Sequence, residues 1–118
     1  MATSYCVEDP DKIQGRDDID LGKRNIAATR LARALRALDG VDGAILLLGA
    51  GAGRYARALH RYRPDLLIVA GDLSVRAITE AVARGGEITY LVLDAQQLPF
   101  PDEVFGAVVF FDLLEHVP

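Results

Sequence analysis

At 118 residues, 51% hydrophobic and 25% charged, the chain is sized for one globular domain and too apolar to stay disordered. Its formal net charge of -4 argues against nucleic acid or an anionic membrane surface as partner. The lone cysteine, Cys6, excludes an internal disulfide and a cysteine-rich metal site; no apolar run approaches the roughly 20 residues of a membrane span, and the opening MATSYCVEDP lacks a signal-peptide pattern, so a cytoplasmic protein is expected.

Residues 1–19 are mixed and polar, with Pro10, Gly15 and the pair Asp17–Asp18, and are expected to form an irregular arm. Asp20 can cap a leading helix over 20–39, because a carboxylate at the N-cap satisfies free amide groups. Ile26, Leu31, Leu35 and Leu38 fall largely on one side of it, while Lys23, Arg30, Arg33 and Arg36 project elsewhere as a solvated face. Asp39-Gly40 ends that helix, and Asp42-Gly43 turns the chain into an α/β core expected over 40–118.

The stretch AILLLGAGAGR, from Ala44 to Arg54, organises that core. Ile45 to Leu48 is an unbroken apolar run, suited to a strand buried on both faces. Gly49, Gly51 and Gly53 then alternate with Ala50 and Ala52, as a sharp strand-to-helix turn pressed against a ligand requires. The helix from Arg54 to Tyr62 would point its first amides back at the loop, where they attract anions and polar groups. The pattern reads as a nucleotide-type cofactor loop.

Beyond Pro64, Leu66 to Ala70 is a second apolar strand that ends at Gly71-Asp72. Ser74 suits the N-cap of a third helix from Val75 to about Arg84, broken by Gly85-Gly86. Ile88 to Leu93 is a third strand ending at Asp94, and the short crossover AQQLPFPDEV has room for one short helix or none. Phe105 to Phe111 is a fourth strand ending at Asp112, and LLEHVP starts a further helix. Strands alternating with helices imply a doubly wound parallel sheet covered on both faces. Ligands of such sheets bind beyond the carboxyl ends of the strands, and here Gly49, Asp72, Asp94 and Asp112 all leave at that edge.

Asp72 lies where a carboxylate can accept two hydrogen bonds from a ribose diol; because Asp72-Leu73-Ser74 also precedes a helix, a capping or turn role is the alternative. Asp94 can accept from the exocyclic amine of an adenine while the Ala95 amide donates to a ring nitrogen, or it can simply serve a turn. Asp112, Glu115 and His116 could exchange protons, but one histidine without a second nearby points away from a metal site, and no metal is expected.

Taken together, ILLLGAGAGRYARAL, IVAGDLS and LDAQQLPFPDEVFGAVVFFDLLEHVP resemble the motifs of the class I S-adenosylmethionine-dependent methyltransferases of the small-molecule type, over about residues 40–118. The resemblance implies a Rossmann-like sheet whose strand order begins 3-2-1-4. It sets Gly49, Ala50, Gly51 and Gly53 against the methionine part of the cofactor, and Asp72 at the ribose with Leu73 beside it in the cofactor site. Asp94 and Ala95 would meet the adenine, and Phe111 and Asp112 would border cofactor and acceptor. The implied cofactor is S-adenosylmethionine, or S-adenosylhomocysteine as product, and the implied partner a small-molecule acceptor. Transfer from an activated sulfonium rests mainly on positioning, so no catalytic residue is named and His116 is the only candidate base.

Three departures accompany the resemblance. Leu47 stands where the family has an acid, and Phe105-Gly106 where it has Phe-Asp. The sequence also reads as a truncated, N-terminal half, stopping where the family has further strands and much of its acceptor pocket. The fourth strand is then expected at the sheet edge, apolar on both faces through Val108, Val109, Phe110 and Phe111, with no lysine or internal proline to protect it. A homodimer through that strand is expected, or a second chain supplying the missing half. Two other function classes remain. Gly51 to Ala56, GAGRYA, also fits the G-x-G-x-x-A fingerprint of an NAD-binding Rossmann domain, although DAQQLPF and LEHVP do not usually accompany it. A truncated, non-catalytic interaction module is the other.

Overall fold

Along each central strand, successive apolar side chains point to opposite faces of one parallel sheet, and both faces are built into a core. A computed structural model describes residues 3–7, 19–101 and 103–111. Its elements are β1 (Thr3–Val7), α1 (Ile26–Ala37), β2 (Ala44–Leu48), α2 (Arg54–Tyr62), β3 (Leu67–Asp72), α3 (Val75–Arg84), β4 (Thr89–Val92) and β5 (Ala107–Phe111). All pairings are parallel, in the order β1-β5-β2-β3-β4.

The four strands anticipated from the sequence stand in the expected order, third-second-first-fourth. The edge does not match. β1 runs along β5 from Thr3 opposite Ala107 to Val7 opposite Phe111, so β5 is an interior strand. At Thr3–Val7 this corrects the irregular arm expected over 1–19, the arm's residues 1–2 and 8–18 lying outside the described part, and it corrects the edge position on which a dimer through the fourth strand depended. The physical reason lies in β5 itself: a strand apolar on both faces, with unpaired backbone groups, draws in an extended segment within reach. TSYCV, with β-branched and aromatic residues and no proline, suits that pairing.

The leading helix also starts later than 20. Asn25 is its N-cap, its side chain accepting from the Ala28 amide at 2.8 Å, whereas Asp20 accepts from the Gly22 amide at 2.8 Å in a preceding turn. Either residue type caps well, and Gly22 between them disfavours helix. Ser74 caps α3 as expected, accepting from the Ala77 amide at 3.1 Å.

On one face Ile45, Leu47, Ile68, Ala70, Ala107 and Val109 pack beneath α1 and α2, which contribute Leu31, Ala34, Leu38, Tyr55 and Leu59. On the other, Leu46, Leu48 and Val108 pack against Leu93 and Phe105 of the crossover between β4 and β5. Phe100 meets Phe105 edge to face, with centroids 5.0 Å apart. The described part of this crossover, 93–101 and 103–106, contains no helix. Crossovers therefore lie on both faces, and the winding reverses between β2 and β5, where sheets of this kind open a crevice at their carboxyl edge.

At the amino edge, Arg63 ties the ends of α1 and α2 together. It donates to the carbonyls of Leu38 at 2.9 Å and Val41 at 2.6 Å, and through Nε and Nη2 to the Asp65 carboxylate at 2.9 Å each. That hydrogen bond raises the Arg63 pKa and holds the Asp65 carboxyl below its usual range. The stabilisation from Asp65 is thus present at neutral pH and fades as the pH falls through its lowered folded pKa. Both side chains meet water, so this ion pair is a small part of the latch.

Arg63→Met is expected to lower the melting temperature by several degrees and Asp65→Asn by less, because only the first leaves two backbone carbonyls without their donor. Thermal denaturation of the two variants checks this. Removing residues 1–7 is expected to bare the β5 edge and shift the protein towards self-association in sedimentation velocity at micromolar concentration. A deletion variant as monomeric as the parent would show that β1 does not guard that edge.

Candidate cofactor site

The chain leaves β2 through Gly49, Gly51 and Gly53, whose φ angles of 74°, 55° and 89° all lie in the left-handed region. Glycine tolerates this without strain. At Gly53 there is also no room for a side chain, since a Cβ would run into the Tyr90 hydroxyl and the Arg57 guanidinium.

The loop is anchored from several sides. Ala50 N–H donates to the Gly71 carbonyl at 3.0 Å and Gly51 N–H to Asp72 Oδ2 at 2.9 Å. Gly53 N–H closes a turn onto the Ala50 carbonyl at 3.0 Å, and Arg57 Nη2 donates to the Ala52 carbonyl at 2.7 Å. Gly53 is the N-cap of α2 and offers no capping side chain, so the first-turn amides face the carboxyl edge without one. Such a helix start suits a polar or anionic group.

Asp72 performs the turn role and shapes the site at once. Oδ1 accepts from Ser74 N–H at 2.9 Å while Oδ2 holds Gly51. Asp94 follows β4 at the same edge, and the Leu93 amide donates to the Asp72 carbonyl at 3.1 Å, joining the two strand ends. Asp94 Oδ1 accepts from Gln96 N–H at 2.9 Å, so its carboxylate serves a turn while remaining exposed. Leu73 is exposed beside Asp72, and Ala95 is half-buried against the second core.

Gly49, Ala50, Gly51, Gly53, Asp72, Leu73, Asp94 and Ala95 therefore gather along the carboxyl edges of β2, β3 and β4. Phe111 ends β5, one residue beyond the Leu48–Phe110 pairing, but its side chain lies outside the described part, as do Asp112, Glu115 and His116. Among the described residues, no group of three His, Cys, Asp or Glu could hold a metal ion. Leu47, at the position of the family's acid, is fully buried beneath α1 and α2, where an unpaired carboxylate would be costly. Gly106 brings backbones close, its amide donating to the Ala44 carbonyl at 2.8 Å; a Cβ there would sit 3.0 Å from the Asp42 carbonyl.

Two contributors, Arg57 and Tyr90, are not among the residues that the sequence pattern singles out. The one local signal is an arginine one helical turn past the last loop glycine. Nothing nearby marks Tyr90, which Arg57 Nη1 reaches at 3.2 Å from 33 positions away.

A methyltransferase-domain family matches residues 46–118. A ubiquinone/menaquinone biosynthesis C-methyltransferase from Desulfotalea psychrophila is 39% identical over 84 residues, which is 70% of this chain and 34% of that protein. A crystal structure of an S-adenosylmethionine-dependent methyltransferase from Mesorhizobium loti matches at 31% identity and TM-score 0.55, over 66% of this chain and 38% of the other. Magnesium protoporphyrin IX methyltransferase from Synechocystis PCC 6803, solved with bound SAH, shares the fold at TM-score 0.66 and 21% identity, over 91% of this chain and 53% of the other. The chain spans about a third of the length of the curated relatives it matches.

Asp72→Ala is expected to cost about 1–3 kcal/mol of stability, because it strips the buried Gly51 amide of its acceptor and opens the turn at Ser74. Asp72→Asn, which keeps an oxygen acceptor, is expected to cost less. Chemical denaturation of both variants measures the difference.

Proposed function

Because the chain belongs to the class I S-adenosylmethionine-dependent methyltransferase family, we propose that it binds S-adenosylmethionine at the carboxyl edge beside the β2–β5 reversal and serves methyl transfer to a small-molecule acceptor. The observation that carries this reading is the glycine loop fastened to Asp72, with the start of α2 opening onto it. The residues fit the cofactor. Gly51 permits close approach, the first turn of α2 offers amide donors, and Asp72 offers a carboxylate for a ribose diol. Asp94 accepts from the adenine amine, the Ala95 amide donates to a ring nitrogen, and Leu73 lies alongside.

When bound, S-adenosylmethionine supplies a methyl group on an activated sulfonium, which the acceptor takes in line, leaving S-adenosylhomocysteine. The chain's own task is to hold that methyl in place; proximity of this kind is worth roughly 7–11 kcal/mol. No side chain is assigned as nucleophile. A partner belongs to the same proposal, either a second polypeptide that supplies the rest of the acceptor pocket or a homodimer; with β1 beside β5, a homodimer would form elsewhere than on the fourth strand. The proposed compartment is the cytoplasm, with which a single cysteine is in keeping.

Calorimetric titration of the chain with S-adenosylmethionine, S-adenosylhomocysteine and NAD tests the reading. Both sulfur compounds are expected to bind more tightly than NAD. Tighter binding of NAD would shift the reading to the dinucleotide fingerprint in GAGRYA, and no binding of any of the three would leave an interaction module.

A further inference from the structure

We propose that Arg57, set by Tyr90, is a positioning residue that holds the glycine loop in its cofactor-receiving shape; this rests on the cofactor reading above. In a trans peptide the C=O and the N–H point in opposite directions, so gripping both ends fixes the plane. The peptide unit between Ala52 and Gly53 is gripped at both: Arg57 Nη2 holds its oxygen at 2.7 Å, and the Ala50 carbonyl holds its N–H at 3.0 Å.

That plane is the part of the loop with most need of a grip. Gly51 and Gly53 flank Ala52, and glycine rotates freely enough for the unit to adopt several orientations. The observed orientation sets the Ala52 oxygen on the guanidinium. A guanidinium's hydrogen bond to a carbonyl is stronger than a neutral one.

The guanidinium is itself held. Nη1 donates to the Tyr90 hydroxyl at 3.2 Å and reaches the Ala81 carbonyl of α3 at 3.5 Å. The stem passes Gly86, where an added Cβ would lie 3.3 Å from Arg57 Cγ. Arg57 thereby relates the loop after β2 to α3 and to β4, the strand that carries Asp94 at its end. Gly53 completes the device, because its missing side chain is the space in which Tyr90 and Arg57 meet.

The test uses the full chain, with S-adenosylhomocysteine as probe. Arg57→Met is expected to lose roughly 10- to 100-fold in affinity, the equivalent of one charge-assisted hydrogen bond. The loss should fall mainly on the association rate, because fewer molecules present a competent loop. Arg57→Lys, which can reach one partner but not the whole set, should recover part of it. Tyr90→Phe should lose roughly 2- to 10-fold, and it decides the matter if Arg57→Met does not fold. Arg63→Met is the control, destabilised at the opposite edge with unchanged affinity. Affinity within twofold of the parent in Arg57→Met, or in Tyr90→Phe where that variant decides, overturns the proposal. Hydrogen exchange of the Gly53 amide in the ligand-free protein is an independent measurement: faster exchange in Arg57→Met supports the clamp, unchanged exchange overturns it. Failure of the parent itself to bind S-adenosylhomocysteine would sink the cofactor reading, and the amide exchange would still decide whether the clamp exists.

Discussion

The hydrogen bond from Gly51 N–H to Asp72 Oδ2 is the one on which the carboxyl edge depends. Glycine gives the loop its left-handed turns, and the same freedom makes the loop expensive to order. Anchors must offset that entropy. Asp72 is well placed to supply one, because its other oxygen already holds the Ser74 amide at the entry to α3. A single carboxylate thus joins the exit of β2 to the exit of β3 and the start of the next helix. On the proposed reading, a role in the turn and a role in the site are one arrangement, since the residue that fastens the loop is also the one offered to the ribose.

Two arginines, Arg57 within α2 and Arg63 at its C-cap, have opposite assignments. Arg57 lies near its first turn and works at the carboxyl edge on the glycine loop. Arg63, its C-cap, works at the amino edge on the carbonyls that follow α1. Each is oriented by a second partner, Tyr90 for the first and Asp65 for the second. The contrast separates fastening from recognition along one helix. On the proposed reading, losing the amino-edge latch loosens two helix ends away from the cofactor, whereas losing the carboxyl-edge clamp alters the surface the cofactor meets.

The sequence is most legible where a signal is local. The apolar runs that form β2 to β5, the Ser74 cap and the left-handed glycines all declare themselves within a few residues. Legibility weakens where two local signals compete. Asp20 and Asn25 are both good caps, and only Asn25 stands directly before residues whose apolar face meets the sheet, Ala27, Ala28 and Leu31. It is lost where pairing is distant. The five residues of β1 have no meaning as a strand until β5 lies beside them, and Arg57 and Tyr90 meet only after two crossovers. Asp72 and Asp94 can be placed at one edge because the end of a buried strand is read from where its apolar run stops.

Leu47 shows how the site is organised without the acid that the family carries there. Its side chain points to the helix-covered face, so its parity along β2 commits it to the same layer as Ile45. In that layer a leucine adds to the core, while a carboxylate would need a partner of its own. The loop that follows is therefore held by backbone groups and by residues from other elements: the Gly71 carbonyl, the Asp72 carboxylate and the Arg57 guanidinium. On the proposed reading, the charged end of the cofactor is met by the amides at the start of α2 rather than by a side chain on β2. Recognition then depends on how firmly the main chain of Gly51 to Gly53 is held, and the residues that hold it lie on α2, β3 and β4.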